Sequence, residues 1–343
     1  MKKKWNLLHA SRGFFCLLMI LFNAHHMGVQ FWKSGPFGWD TPVRSGAMDY
    51  FLILSGFVLF HTYQHRIGDF AAARHFFRNR LFRIYPTYWY IFIPMVPFAA
   101  FFTGEKLELA DYIRSFFLMP ISNGVNPPAS VLSYFLLFYA VFGLVLLVGK
   151  GRGTVLLSLW FMIILIHFTH GIFEGHSVLA FVFSKYHLYF FAGGFIAYLV
   201  KKIEIPYPQV LVGAGLAGLV LTWFNKVKGW VPIDELYEFG IPAATVLFGL
   251  ALLESGRERV IPGWINFLGR ASYTLFLTHY PVLALLYQGY TEAGLTRMIS
   301  PAATTMLMAF LAAAIGCLLY LIVEKPLLNF LLQNRKKPAS VTG

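Results

Sequence analysis

Apolar blocks long enough to cross a bilayer recur along nearly the whole chain. A hydrocarbon layer offers the backbone no hydrogen bonds, so a chain with such blocks folds as helices or a closed barrel. Each block runs to roughly 20 residues, the length of a spanning helix and about twice that of a spanning strand. The blocks lie near 7–29, 47–63, 84–102, 130–149, 154–170, 179–200, 209–225, 236–253, 270–290 and 298–323. The predicted fold class is therefore all-α, a polytopic membrane helix bundle of about ten transmembrane helices. No polar stretch is long enough for a separate soluble domain. Residues 1–330 read as one transmembrane domain and 331–343 as a short cytoplasmic tail.

Charge fits the same picture. Only 13% of the 343 residues are charged, while the net charge is +13. Basic residues on a membrane protein gather in cytoplasmic loops and meet anionic lipid. With no nucleic-acid motif present, the expected partners include membrane lipid and exclude nucleic acid. Placing both termini in the cytoplasm puts Lys2–Lys4, Arg66, Arg74, Arg78, Arg80, Arg83, Lys150, Arg152, Lys201, Lys202, Arg257, Arg259, Arg270 and the basic tail on one side. Lys33, Arg44, Lys106, Arg114, Lys185, Lys226, Lys228 and Arg297 fall on the other, an asymmetry of about two to one. The opening Met-Lys-Lys-Lys resembles a signal peptide, but Arg12, His25 and His26 interrupt the apolar run that follows and no cleavage site appears. A retained first helix is expected. Cys16 and Cys317 have neither metal-ligand nor disulfide spacing, so no metal is expected.

Two loops on the second side stand out. Residues 30–46 carry Trp32, Trp39 and Asp40. Residues 103–129 carry Glu105, Glu108 and Asp111, then a Ser-Asn-Gly-Val-Asn-Pro-Pro cluster that stops any helix. Within the latter, 108–118 has apolar residues at helical spacing, which fits an interfacial amphipathic helix or a plain packed loop.

Ionisable side chains inside apolar spans are costly and mark candidate sites. Arg12 and His26 fall within about 40° of one another on the first helix, separated by a rise of about 20 Å, and Asn23 shares that face. His25 turns away from it, and a snorkelling interfacial residue is the plainer reading of either histidine. Arg78, Arg80 and Arg83 precede the third span, where positive-inside charge is the plain reading. A clamp for a phosphate-bearing ligand is the sharper one, with Arg80 and Arg83 sharing a face. Further on, His279 lies in mid-span before Pro281, which frees a backbone carbonyl inside the bundle. Glu324-Lys325-Pro326 closes the last span, and an exposed ion pair is its plain reading.

Taken in order, these pieces resemble the acyltransferase 3 family of membrane acyltransferases, which includes exopolysaccharide and O-antigen O-acetyltransferases. The matching segments are Ser11-Arg12-Gly13 with histidines at the far end of the helix, Met48-Asp49-Tyr50 through Ser55-Gly56-Phe57, and Asn79-Arg80 to Arg83-Ile84-Tyr85-Pro86. Leu268-Gly269, Ser272-Tyr273-Thr274 through Thr278-His279-Tyr280-Pro281 and Glu324-Lys325-Pro326 complete the set. The resemblance implies transfer of an acyl group, acetyl by preference, from cytoplasmic acyl-CoA to a hydroxyl of a glycan, a lipid-linked sugar or a related acceptor. Acyl-CoA would be a donor substrate, with no permanently bound cofactor. Such proteins lie in a bacterial-type inner (plasma) membrane. By the same resemblance Arg12 pairs with a catalytic histidine, and Arg78, Arg80, Arg83, Tyr85 and Ser55 serve the CoA end. Asn23, Asp49, Tyr273, His279 and Glu324 support them.

The sequence departs from the family pattern twice. The family's histidine position falls on Asn23, so that role passes to His26 or His25. A helix-four Trp-Ser-Leu-Ser-x-Glu motif is reduced to Val131-Leu132-Ser133-Tyr134-Phe135. A neutral imidazole can take the proton of an attacking hydroxyl, and an acyl-histidine relay is the other route. A proton-coupled membrane transporter is the competing class, since intramembrane histidine and arginine suit that role too. Against it stand the missing internal repeat and the clustered arginines.

Overall fold

A computed structural model describes residues 5–32, 38–39, 43–102, 108–120, 126–256, 259–295 and 299–333. Asp40, Glu105, Arg257 and most of the Ser-Asn-Gly turn cluster lie outside them. The described residues form helices joined by short connections: α1 (Asn6–Trp32), α2 (Ala47–Tyr63), α3 (Phe70–Phe102), α4 (Leu109–Phe116), α5 (Val131–Val148), α6 (Lys150–His170), α7 (Ser177–Val182), α8 (Leu188–Leu199), α9 (Pro208–Lys228), α10 (Glu235–Gly256), α11 (Gly263–Glu292), α12 (Pro301–Leu319) and α13 (Lys325–Gln333).

Among them, seven helical stretches are long and apolar enough to cross a membrane, against the ten expected. Ala47–Tyr63 is one of the shorter apolar helices, and α3 and α11 carry the polar residues that matter below. The chain is a multi-pass membrane protein. Hydropathy also misplaced the start of α3. Asp69 caps it, its Oδ1 accepting from the Ala72 amide at 3.1 Å, and an alanine run then carries the helix on through the basic segment. The arginines at 74–83 therefore lie on α3 rather than before it.

Helices pack where small residues let backbones meet, since lipid tails supply no hydrophobic drive between apolar faces. At the α2–α8 crossing Gly56 lies against the Phe190 carbonyl and Gly193 against that of Ile53, and a Cβ at either would collide with backbone. At the α1–α11 crossing Gly13 meets Leu268, and Gly269 meets the His9 carbonyl. α9 pairs with α10, and α12 with α1 and α11.

One end of the bundle is basic. Trp5 packs edge-on to His61 at 4.9 Å, and the Leu7 and Leu8 amides donate to the Glu254 carboxylate at 2.8 and 3.2 Å. The start of α1 and the ends of α2 and α10 therefore lie together, with the start of α11 beside them. Gly68 N donates to the Leu146 carbonyl at 2.8 Å, which brings the α2–α3 turn to the same level.

The segment after α3 folds back along it. α4 forms with a reciprocal capping box between Glu108 and Asp111, so of the two expectations for 108–118 the helix holds. Tyr88 Oη donates to the Ser115 carbonyl at 2.6 Å and Trp89 Nε1 to that of Phe116 at 2.9 Å. The chain then turns at Leu118, held at φ +53°, a left-handed conformation uncommon away from glycine. Ser133 Oγ donates to the Leu118 carbonyl at 2.7 Å. The serine of the reduced helix-four motif thus fastens the returning segment to α5.

Candidate functional site

Two cavities abut inside the bundle. The one toward the basic end, about 180 Å³, is lined by Arg12, Ser55, Arg80, Arg83, Tyr139 and Tyr273, among others. The other, about 480 Å³, lies toward the far end and is lined by Asn23, His26, Arg44, Asp49, Glu235 and His279 with their neighbours. Met48 lines both. On α11 Phe276 faces the first and His279 the second, one turn apart, and on α5 Leu132 and Val131 divide in the same way. The 3.6-residue period makes this possible: Phe276 and His279, three apart, are neighbours along one face, whereas Val131 and Leu132, adjacent in sequence, point about 100° apart.

The basic-end cavity gathers cations against aromatic rings. Arg80 places its guanidinium carbon 5.3 Å from the Tyr139 ring centroid and 5.8 Å from that of Phe76, a cation–π arrangement that fixes the fork without neutralising it. Tyr139 Oη lies 3.1 Å from Ser55 Oγ. Tyr273 Oη donates to the Ile84 carbonyl at 2.9 Å, binding α11 to α3 beside Arg83. Glu324 interacts electrostatically with both Arg83 and Arg12.

Glu324 is not the exposed ion pair of the plain reading. Its side chain is 4% exposed and accepts a short hydrogen bond from Thr274 Oγ1. The cause is local. Residues Tyr320–Glu324 form a π-helical turn in which the Lys325 amide reaches back to the Tyr320 carbonyl. Pro326 has no amide proton to donate to the preceding turn. The wide turn rotates Glu324 into the bundle, and such turns are frequent at functional sites.

The far cavity is built around an ion cluster. Arg44 Nη1 donates to Glu235 Oε2 at 2.5 Å, and Arg44 Nη2 lies 3.2 Å from both oxygens of Asp49, which is 1% exposed. The Arg44 guanidinium also stands over Tyr186 and Phe239, at 5.9 and 5.5 Å. With two carboxylates around one guanidinium, this wall presents polar groups without net positive charge.

The sequence-predicted residues divide between these places. Arg12, Ser55, Arg80, Arg83 and Tyr273 meet in one cavity, and Asn23, His26, Asp49 and His279 in the other. Arg78 does not join them: it lies on another face of α3 in a hollow with Phe70, Arg74 and His75. Tyr85 donates to the Phe117 carbonyl at 3.0 Å instead of facing the arginines. His25 is buried beside Trp39 and lines neither cavity. Asn23 Nδ2 donates to the Met19 carbonyl at 2.9 Å, and the partner of His26 is Gln30, at 2.9 Å from Nε2.

Sequence reasoning missed Tyr139, Gln30 and Glu235, and read Arg44 only as a loop charge. Gln30 was findable, four residues beyond His26 on the same helical face. Glu235 carried no local signal. No group of three or more histidine, cysteine, aspartate or glutamate side chains suited to a metal occurs among the described residues.

The sequence profile of the acyltransferase domain family matches residues 6–322. The chain belongs to the acyltransferase 3 family. It is a membrane acyltransferase, and every residue of both cavities lies within the matched region. It is also 27% identical over 304 residues to the exopolysaccharide production protein ExoZ of Rhizobium meliloti (strain 1021), covering 85% of this chain and 92% of that protein. No solved structure matches it.

Proposed function

We propose that this acyltransferase takes an acyl group, acetyl by preference, from acyl-CoA at its basic end and delivers it to a sugar hydroxyl entering from the far side. The observation that carries this reading is the pair of abutting cavities, one lined by three arginines with the single carboxylate of Glu324 beside two of them, the other by histidines and carboxylates. CoA phosphates cannot enter hydrocarbon and need cationic partners at the basic end, where Arg80 and Arg83 offer forked donors. The uncharged pantetheine arm then runs toward Arg12, leaving the thioester at the level of Met48. There the acceptor oxygen attacks the thioester carbon, the carbon–sulfur bond breaks, an imidazole takes the hydroxyl proton, and the CoA sulfur leaves to be protonated as the free thiol. Direct transfer of this kind needs no acyl-enzyme. The likeness to an exopolysaccharide production protein supports a polysaccharide or its lipid-linked precursor as acceptor.

The same reading takes α2, α3 and α11 as crossings beside the seven apolar stretches. That makes ten, with both termini in the cytoplasm of a bacterial-type inner membrane and the basic end facing inward. The test uses the purified protein in nanodiscs with radiolabelled acetyl-CoA and neutral exopolysaccharide oligosaccharides. Binding of acetyl-CoA by calorimetry, release of free CoA thiol and label on the glycan are expected. A folded protein that neither binds acetyl-CoA nor releases CoA overturns the proposal.

A further inference from the structure

His279 is the one imidazole that combines burial, a fixed tautomer and a place where the two cavities meet. Its side chain is fully buried, at 0% exposure. Nδ1 lies 2.8 Å from the Phe276 carbonyl and 3.2 Å from that of Leu275. A carbonyl only accepts, so Nδ1 carries the proton and the lone pair of the neutral ring sits on Nε2. Nε2 has no hydrogen-bond partner among the described residues, although buried polar atoms nearly always have one. Nδ1 is thus turned back onto α11, and the ring that carries the buried, partnerless Nε2 belongs to the wall of the far cavity.

His26 differs on each count. It is half-buried, and its Nε2 is 2.9 Å from the Gln30 amide nitrogen. It stands about 20 Å along α1 from Arg12. His279, by contrast, is one turn beyond Phe276, which lines the arginine cavity. The family position for the first-helix histidine holds Asn23, whose side chain lines the same cavity as His279 and donates to the Met19 carbonyl.

We propose that His279, rather than His26, is the general base of acyl transfer in this chain, its Nε2 accepting the proton of the acceptor hydroxyl. This rests on the acyl-CoA reading above and places the catalytic imidazole on α11 instead of α1. Nε2 takes the proton as the acceptor oxygen bonds to the thioester carbon, then passes it to the departing CoA sulfur, so the ring ends neutral with its proton on Nδ1. The neighbouring ion cluster stays as it is, because Arg44 is already matched by Asp49 and Glu235. The wall near His279 accordingly offers an anionic acceptor no uncompensated cation among the described residues.

The decisive variant is His279→Asn, whose amide nitrogen replaces Nδ1 as donor to Phe276 while nothing replaces Nε2. With radiolabelled acetyl-CoA and the neutral oligosaccharides, its kcat is expected to fall about 10²–10⁴-fold. KM for acetyl-CoA, calorimetric acetyl-CoA affinity and elution as a single folded species are expected to stay at wild-type values. His26→Ala is expected to lose at most about tenfold, as a half-buried lining residue that takes no proton would. Wild-type kcat in His279→Asn, or a loss in His26→Ala as large as that in His279→Asn, overturns the assignment. So does loss of acetyl-CoA binding or of the folded species in His279→Asn, which would make the residue structural. A wild-type protein that binds no acetyl-CoA removes the parent reading, whereas a transferring wild type with an equally active His279→Asn removes only the base.

Discussion

Asn126 donates its Nδ2 proton to the Leu277 carbonyl at 2.9 Å, across 151 residues of sequence. That carbonyl is available because Pro281, four residues on, has no amide proton to offer it. The returning segment between α4 and α5 is thereby pinned to α11 two residues before His279. Asn126→Ala should lower stability by about 1 kcal/mol, the scale of one buried hydrogen bond. Pro281→Ala should restore the helical donor, so the double variant should lose less than Asn126→Ala alone. Thermal unfolding in detergent gives the cycle, and strictly additive losses would show that the two sites are not coupled.

Arg80 and Arg83 should be separable from Arg78, because only the first two line the arginine cavity. Arg80→Ala and Arg83→Ala should each weaken acetyl-CoA binding by about 1.5–3 kcal/mol, the worth of a charge-assisted hydrogen bond. Lysine at either position should recover only part of it, lacking the fork. Arg78→Ala should leave affinity near wild type. Calorimetry on the three alanine variants decides, and equal losses would place the phosphates on the wider basic surface.

The Arg44 cluster should behave as an ion pair with one buried member, Asp49, since the Arg44 side chain is itself 39% exposed. Arg44→Ala strands the Asp49 carboxylate, 1% exposed, and should cost about 3 kcal/mol. Glu235→Gln should cost much less, since the Glu235 side chain is 40% exposed. Arg44→Ala combined with Asp49→Asn should recover part of the loss. Thermal unfolding of the four proteins tests this, and failure of the double variant to recover would mean that Arg44 acts mainly by stacking on Tyr186 and Phe239.

Gly193→Ala should destabilise by about 1–3 kcal/mol, because its Cβ would run into the Ile53 carbonyl where α2 and α8 touch. Gly213→Ala on α9 has open space around the new methyl and should be neutral or slightly stabilising. Comparing their melting temperatures isolates backbone approach from helix propensity. Equal shifts would show that the crossing yields to accommodate a methyl.

The helices were legible because length and hydropathy are local properties, and a bilayer leaves few other ways to satisfy a backbone. The same locality explains the error at α3: hydropathy marks what touches lipid, and a capped helix continues past it. The candidate residues could be named because charge within apolar runs is conspicuous, and the faces of α1 could be assigned from its 3.6-residue period. That is how His25 separates from His26, and why Arg12 and His26 face successive cavities.

Only the tertiary structure decided which of those residues meet. Arg44 reaches Glu235 across 191 positions, and Glu254 accepts from Leu7 across 247. No period within one helix encodes either contact, because rotation and depth of neighbouring helices are set by small-residue crossings and interhelical hydrogen bonds. Arg78 and Tyr85 belong with Arg80 and Arg83 by sequence, yet the phase of α3 sends them to other faces. Glu324 became interior through one wide turn before a proline. The partner-free Nε2 of His279 depends on every helix around it, since whether a buried nitrogen is satisfied is a property of its surroundings and not of its own segment.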